Sequence, residues 1–405
     1  MKTTTLTLIE FQTSQGSIDF LNSNVDDNFK TLLVESLTKA EQLAKVNLDR
    51  DLYNALSWPV TFNEYIVYLQ EFSRWIPQQH DLPAWKTPDS NGSQEVYDRL
   101  CHFYFLIDQP VGKEGDIIVE NIPWFSKWLV QYAKLWGSFL NSTDSFNQDI
   151  LDSFINDSPK YRVQDSMIDG RPNNPSGWLT FNQFFARELN PGLRPIASPM
   201  DNTVVTSPAD CTFRKKYDIA SDSTIPEITI KQTHQFANIN QLLEGSKYAD
   251  DFGGGTFAHY FLGPYSYHRF HIPVSGVVEE SYAVQGLVSL DVELSGKQFD
   301  APDNAEGGYE FLQARGIITI DTTNSPYGDM GIVAVIPVGM CQVSSVNMIA
   351  QPGHELLKGD EFGYFLFGGS DIIMLFQEGI NPTINDCSNY RHYGTAIGEC
   401  PPETN

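Results

Sequence analysis

The sequence predicts an α+β protein in which a helical N-terminal domain is followed by a mainly antiparallel β domain. Three observations support this prediction. Residues 1–163 carry apolar side chains at helical spacing, whereas from about residue 200 short β-rich runs alternate with Gly, Pro, Asn and Asp. The length of 405 residues suits two or three domains. We place the joint at 164–175, which is rich in Gly, Asn and Pro, and the second domain at 175–405.

Two long helices are predicted in the first domain. The first, Asp26–Arg50, has its apolar side chains at helical spacing, namely Phe29, Leu32, Leu33, Leu37, Ala40 and Leu43. The second, Trp124–Leu140, begins at Asn121-Ile-Pro, with proline near the first turn, and has the apolar set Phe125, Trp128, Leu129, Tyr132, Leu135, Trp136 and Leu140. We interpret these aromatic faces as core. The polar stretch Lys86–Ser93 indicates a loop between the helices.

Short strands dominate the predicted second domain. They are Val204–Ser207, Glu227–Lys231, Gly276–Glu280, Gly316–Thr322, Gly331–Val338 and Ile372–Phe376. Two short helices are expected beside them, at Thr180–Leu189 and Asn238–Gly245.

Charge and composition exclude several classes of partner. With 51 acidic and 26 basic residues the formal net charge is −25, so nucleic acid and anionic membrane surfaces are disfavoured. No stretch approaches the ~20 apolar residues of a membrane span, and the N-terminus lacks a signal-peptide pattern. The five cysteines are scattered and form no CxxC pair. We therefore expect a cytoplasmic protein without a disulfide framework; its oligomeric state is left open.

Three segments of the β domain stand out chemically. The first, Ser207-Pro-Ala-Asp210, puts an acid after a short strand, although Pro and Asp also favour plain turns. The second, Tyr267-His-Arg-Phe-His-Ile-Pro-Val-Ser-Gly276, holds His268 and His271. Residues three apart on a strand face opposite sides, so we expect the two imidazoles to have different tasks and no metal to be bound. One core and one surface histidine is the simpler alternative.

The third segment, Phe365-Leu-Phe-Gly-Gly-Ser-Asp-Ile-Ile-Met-Leu-Phe376, places two glycines and a serine between apolar runs. A hairpin turn would explain the glycines, because they permit backbone conformations closed to other residues. The alternative is a nucleophilic serine, Ser370, whose preceding peptide bond is held in an attackable geometry.

Taken together and in this order, the three segments resemble the phosphatidylserine decarboxylase family, over roughly residues 175–385. That family has an aspartate in an S-P-x-D segment, a YHRxHxPxxG segment and a C-terminal GGS or LGS serine. The approach Pro352–Tyr364 is similar as well. The N-terminal part, with Trp136–Leu140 and Phe184–Arg187, looks like the soluble branch that includes a fungal L-tryptophan decarboxylase of psilocybin biosynthesis.

The resemblance implies a pyruvoyl cofactor made from the chain itself. Ser370 Oγ would attack the Gly369 carbonyl, and elimination would leave a β-chain ending at Gly369 and an α-chain whose pyruvoyl group derives from Ser370. By the same resemblance His271 is the base and Asp210 orients it, while His268 acts during turnover on the substrate carboxylate or carbanion. The expected activity is that of a carboxy-lyase acting on a soluble amino acid, an aromatic one such as tryptophan being a candidate.

One residue departs from the family pattern. Asp371 follows the serine, where the family commonly has Thr or Ser. Its carboxylate could attract positive charge that develops beside the pyruvoyl group, or it could repel the substrate's carboxylate.

Alternative functions stay open at this stage. A phosphatidylserine decarboxylase making phosphatidylethanolamine is one, and an uncleaved pseudoenzyme used for interaction is another. The segments 273–278 and 353–363 also resemble biotinyl and lipoyl carrier hairpins, but the required M-K-M or D-K-A is missing. A zinc peptidase would need an H-x-H pair, which the sequence lacks.

Overall fold

Helices occupy the first part of the described chain, and strands dominate the second. The computed structural model describes residues 11–86, 92–157, 159–230, 235–301, 308–340, 345–386 and 388–400. Most of the predicted loop at 86–93, Lys231, Cys341 and Cys387 lie outside these ranges. The described helices are α1 (Ser14–Asn24), α2 (Asp27–Asn47), α3 (Arg50–Ala55), α4 (Phe62–Phe72), α5 (Glu95–Phe105), α6 (Pro123–Leu140), α7 (Gln148–Asp157), α8 (Phe181–Phe185) and α9 (Ile239–Leu242).

The strands begin with one short antiparallel pair and continue through the second half of the chain. They are β1 (Met167–Ile168), β2 (Arg171–Pro172), β3 (Val204–Thr206), β4 (Cys211–Asp218), β5 (Thr224–Ile230), β6 (Gln235–Asn238), β7 (Thr256–Leu262), β8 (Arg269–His271), β9 (Gly276–Val284), β10 (Glu293–Ser295), β11 (Gln298–Asp300), β12 (Arg315–Asp321), β13 (Ile332–Met340), β14 (Val346–Met348), β15 (Glu355–Leu356), β16 (Glu361–Phe365), β17 (Gly369–Phe376), β18 (Thr383–Ile384), β19 (Tyr390–Arg391) and β20 (Ala396–Glu399). The predicted α+β class is thereby confirmed.

The two long helices follow the predicted spacing with one correction. Helix α6 starts with Pro123 in its first turn, where a missing N–H costs nothing, and its aromatic face is buried as expected. In α2 the buried stripe passes through Ala44, whereas Leu43 is 37% exposed. The prediction for Leu43 was therefore wrong, because the 3.6-residue period carries the stripe from Ala40 to Ala44.

The two short helices are shorter than predicted, for local reasons. Helix α8 begins at the Thr180 cap, whose hydroxyl accepts from the Gln183 N–H, and ends at Phe185. Helix α9 covers one turn, and Gly245 beyond it adopts a φ of +85°, which side chains disfavour.

An eight-stranded antiparallel sheet organises the second half, in the order β15-β9-β12-β13-β17-β7-β4-β19. Strand β17 lies between β13 and β7, with Ser370 opposite both Gly339 and Leu262. Because side chains alternate along a strand, Ile372 and Met374 enter one core, while Ile373 and Leu375 enter a second, smaller core.

The larger core continues from the sheet into the N-terminal helices. The Trp136 ring of α6 packs edge-on against Phe367, just before β17, with ring centroids 5.4 Å apart. Trp136 also packs against Phe72 and Trp75, and its indole N–H donates to the Trp75 carbonyl. The domain limits 1–163 and 175–405 stay a prediction. Among the helices of the described ranges, none has the length and apolarity to cross a bilayer.

This shared core predicts a single cooperative unfolding unit. Trp136→Ala should lower the free energy of unfolding by about 3–5 kcal/mol. The substitution removes a buried indole and leaves a cavity between the N-terminal helices and Phe367. The measurement is urea unfolding followed both by far-UV circular dichroism and by tryptophan fluorescence. Val46→Ala, at a site 80% exposed, is the control and should change stability by less than about 0.5 kcal/mol. Two separate transitions in the unmutated chain would contradict the shared core.

Candidate active site

Ser370 lies near the start of β17 and is fully buried. The two glycines before it do not form a hairpin, because β16 pairs with β14 and β8 whereas β17 pairs with β13 and β7. Gly368 belongs to the connection between two sheets, and Gly369 is the first residue of β17. Gly368 has a φ of +153°, which residues with a side chain rarely adopt. The backbone before Ser370 therefore has a conformation that depends on glycine.

His268 is the histidine nearest to this serine. Its Nδ1 lies 3.4 Å from Ser370 Oγ, at the long end of hydrogen bonding, and its Nε2 lies 3.3 Å from the Pro264 carbonyl oxygen. A carbonyl can only accept, so Nε2 carries the proton and Nδ1 offers its lone pair to the serine. Phe185 stacks on the imidazole at 3.9 Å between ring centroids. Burial lowers the pKa of His268 to about 3, so the ring is neutral at pH 7.

His271 lies at the end of β8 in a separate set of contacts. Its Nδ1 donates to the Gly359 carbonyl at 2.8 Å, and its Nε2 accepts from the Tyr267 hydroxyl at 3.2 Å. The Tyr393 ring stacks on it at 3.6 Å between centroids and is almost parallel to it. Burial lowers the pKa of His271 to about 4. The two histidines thus occupy different environments, although His268 precedes β8 and is not part of the strand on which the spacing argument depended.

Asp210 is buried and accepts four hydrogen bonds. Arg194 donates through Nε at 3.2 Å and through an Nη at 2.7 Å, His392 Nδ1 donates at 2.9 Å and the Tyr393 backbone N–H donates at 2.8 Å. Burial would raise the pKa of this carboxyl, but the hydrogen bonds from His392 and Arg194, with the Arg194 charge, outweigh burial and lower it. Asp210 is therefore a carboxylate that fixes its neighbours.

The structure brings Ser370 and His268 together, but it arranges the other two predicted residues differently from the expected triad. Within the described residues, no hydrogen bond joins His271 to Ser370 or to Asp210. Asp210 is linked to His271 indirectly, since Tyr393 donates to the carboxylate through its N–H and stacks on the imidazole through its ring. The His271 backbone N–H also donates to the Pro208 carbonyl, so the two motifs are neighbours.

Helical elements close the site from the other side. The Asn182 side chain accepts from the Phe367 N–H at 3.1 Å and donates to Asn141 Oδ1 at 3.0 Å. Phe181 and Phe185 both pack against the Phe367 ring. The segment leading to Ser370 is thereby attached to α6 and α8.

Two cavities approach the site. One, of about 300 Å³, is lined by Tyr97, Lys160, Tyr161, Phe261, Pro264, Tyr265 and Ala301 among others. It shares Pro264 with the His268 contact and lies between helical and sheet residues. The other, of about 560 Å³, is lined mostly by polar and charged side chains, including Arg187, Glu188 and Arg269. The aromatic cavity suits a small ligand with an apolar side chain.

Several residues of this site were missed from the sequence. Arg194 and His392 both donate to Asp210, and the Tyr393 ring stacks on His271. No sequence signal indicated Arg194, because its burial beside Asp210 is a property of the folded structure. Three further ionisable residues, His259, Glu310 and Asp371, lie close enough together to hold a metal ion.

Two comparisons with known proteins agree that the chain is similar to decarboxylases. The sequence profile described as phosphatidylserine decarboxylase matches residues 181–399, just over half of the chain. Decarboxylase iboD of Amanita muscaria is 27% identical over 77% of this chain and 89% of its own length. The protein is thus a decarboxylase, a carboxy-lyase, and it belongs to the phosphatidylserine decarboxylase family.

Other relatives carry the name phosphatidylserine decarboxylase proenzyme. Proenzyme 2 of Oryza sativa is 33% identical over 49% of this chain and 29% of its own length. The proenzyme of Chlamydia trachomatis is 31% identical over 54% of this chain and 65% of its own length. The chain therefore spans less than two thirds of these two relatives. The predicted family and enzyme class are confirmed.

The buried neutral His268 predicts a pH-dependent stability. Below its ordinary pKa of about 6.5, the unfolded chain binds a proton that the folded chain excludes, so stability falls as pH falls. Between about pH 6 and pH 5, the free energy of unfolding of the Ser370→Ala chain should fall with decreasing pH. This fall should be steeper than that of Ser370→Ala/His268→Gln by up to about 1.4 kcal/mol per pH unit. Urea unfolding of both variants measures this difference. Equal slopes would mean that water reaches His268.

Proposed function

We propose that this chain is a pyruvoyl-dependent decarboxylase of a free amino acid, matured by self-cleavage between Gly369 and Ser370. The observation that carries the proposal is the contact of Ser370 Oγ with the unprotonated Nδ1 of a neutral, buried His268. A serine hydroxyl is a weak nucleophile without such a base. The family, whose proenzyme-named members include the chlamydial relative, supports the same conclusion.

The proposed cleavage uses only this chain and one water molecule. Ser370 Oγ attacks the Gly369 carbonyl carbon as His268 Nδ1 accepts the hydroxyl proton, and the acyl group moves from the Ser370 nitrogen to the oxygen. Loss of the Ser370 α-proton then breaks the Cβ–Oγ bond and releases Gly369 as a carboxylate. The remaining dehydroalanine takes up water and loses ammonia, which leaves a pyruvoyl group.

The geometry supports His268 as the group that accepts the serine proton. His271, with both ring nitrogens in hydrogen bonds, is supported as a positioning residue, and Asp210 acts on it through Tyr393. This division departs from the roles that the family resemblance implies for the two histidines, and the variants described below separate them.

The residues around Ser370 suit the group that would replace it. A pyruvoyl group supplies an electrophilic carbonyl that accepts the substrate's amine and draws in the electrons left when carbon dioxide departs. Phe185 and Phe367 keep water away from this position, because their rings pack against each other and Phe185 also covers His268. His268 is placed to return a proton to carbon at the end of turnover.

The aromatic cavity supports an amino acid rather than a phospholipid as substrate. Its volume of about 300 Å³ is at the low end for ligand sites, too small for two acyl chains. Tyr97, Phe261 and Tyr265 offer aromatic faces, and Lys160 offers a positive charge for a carboxylate. Phosphatidylserine is the second candidate substrate, favoured by the names of the plant and chlamydial relatives.

The first prediction of the proposed function concerns maturation. The unmutated protein should give two chains under denaturing conditions, and mass spectrometry should find a pyruvoyl group at residue 370. Ser370→Ala should give one chain and no decarboxylation, because the nucleophile is absent. A single full-length chain that nevertheless releases carbon dioxide would exclude the pyruvoyl mechanism.

The second prediction separates the histidines. His268→Gln should slow self-cleavage by about 10²–10⁴-fold, the usual effect of losing an acid–base group. His271→Gln should slow it much less, because its contacts hold Tyr267, Gly359 and Tyr393. Cleavage is timed by electrophoresis after cell-free synthesis, with His354→Gln, on an exposed histidine, as the control. Normal cleavage in His268→Gln would assign the base elsewhere.

The third prediction concerns the substrate. The processed protein should release carbon dioxide from at least one free amino acid in a panel, aromatic ones included, and none from phosphatidylserine vesicles. Ala301→Leu should raise KM for that amino acid about tenfold by narrowing the aromatic cavity, whereas Gln183→Leu at the polar cavity should not. Release from vesicles alone would make the chain a phospholipid decarboxylase.

A further inference from the structure

Three ionisable side chains converge on the face of the large sheet opposite Ser370, and the proposed decarboxylation uses none of them. His259 comes from β7, Asp371 from β17 and Glu310 from the short 3₁₀ turn Tyr309–Phe311. His259 Nε2 lies 3.3 Å from Asp371 Oδ1 and 3.6 Å from Glu310 Oε1. All three side chains are fully buried.

Sheet register creates this cluster. His259 pairs with Ile373, two residues along β17 from Asp371, so His259 and Asp371 are diagonal neighbours on one face. That face belongs to the smaller core, where Phe257, Phe311 and Val338 pack. The three ionisable groups therefore lie in apolar surroundings.

Hydrogen bonds to the described residues do not compensate the negative charge of the two carboxylates. Within the described residues, neither oxygen of Glu310 and neither oxygen of Asp371 has a hydrogen-bond donor. Two buried carboxylates beside one imidazole leave a net negative charge in a medium that solvates it poorly, which is strongly unfavourable. A bound cation would remove this cost.

Distances and donor types indicate which cation fits. Two donors at about 2.0–2.2 Å from a tetrahedral ion stand roughly 3.3–3.6 Å apart, which matches the two observed separations. The three candidate ligand atoms all lie within 4.8 Å of one another. One imidazole with two carboxylates suits zinc and similar first-row ions, whereas calcium and magnesium prefer six or more oxygens. A charge of +2 would balance both carboxylates.

We propose that His259, Glu310 and Asp371 form a buried site for one divalent first-row transition ion of the zinc type. This differs from the expectation of no metal, which was argued from the spacing of His268 and His271. It also gives Asp371, the residue that departs from the family pattern, a structural task. Through Asp371 the ion ties the residue after the cleavage serine to β7 and to residues 309–311.

The test measures metal content, so it does not depend on cleavage or activity. The full chain carrying Ser370→Ala is produced in zinc-supplemented medium, dialysed against metal-free buffer and analysed by inductively coupled plasma mass spectrometry. We expect about one equivalent of zinc per chain, and cobalt-grown protein should show the visible absorption of a tetrahedral cobalt site. Retention of less than about a tenth of an equivalent of either metal would overturn the proposal.

Matched variants locate the site. Glu310→Gln and His259→Gln should each reduce bound zinc about tenfold or more, because each removes a ligand. Glu355→Gln and His354→Gln, at exposed positions, should leave it unchanged. Circular dichroism identifies variants that fail to fold. If a ligand variant does not fold, the zinc comparison is replaced by the melting temperature of the Ser370→Ala chain with and without chelator, which chelator should lower. The proposal would be overturned if folded Glu310→Gln kept one equivalent of zinc, or if chelator did not change the thermal stability of the Ser370→Ala chain.

Discussion

Exclusion of water from the contact between Ser370 and His268 is the constraint on which the rest of the site depends. Burial keeps the imidazole neutral, and the Pro264 carbonyl fixes the proton on Nε2, so the lone pair at Nδ1 faces the serine. Neither effect would persist in water, where the imidazole would titrate near pH 6.5 and turn freely. Phe185 stacks on the His268 ring and so helps to keep the imidazole neutral and in its fixed orientation.

That constraint explains why the helical part and the sheet share a core. Among the described residues Phe367 pairs with no strand, and the Phe367 ring packs against Trp136, Phe181 and Phe185. Asn182 adds a hydrogen bond to the Phe367 N–H. The helices therefore complete the wall of the site, and the aromatic cavity beside Pro264 lies between residues of both parts.

Strand alternation separates two kinds of chemistry on β17. Ser370 faces the large core and His268, whereas Asp371, the next residue, faces the small core with His259 and Glu310. A single strand in the middle of the sheet can present both because adjacent side chains point to opposite faces. The carboxylate of Asp371 therefore lies on the other side of the sheet from the Ser370 hydroxyl, and its influence on the reacting position passes through the backbone.

The sequence by itself determined the elements and the motifs. Periodicity gave α6 and the strands around β17, and the order of the segments containing Asp210, His268 and Ser370 indicated the family. Only the tertiary structure decided which side chains meet. It put His268 rather than His271 beside Ser370, bound Asp210 to Arg194 and His392, and joined His259 to Asp371. Except for Asp210 with Arg194, these pairings join residues more than a hundred positions apart and depend on strand register and tertiary contacts, whereas hydrophobic periodicity reports only local order.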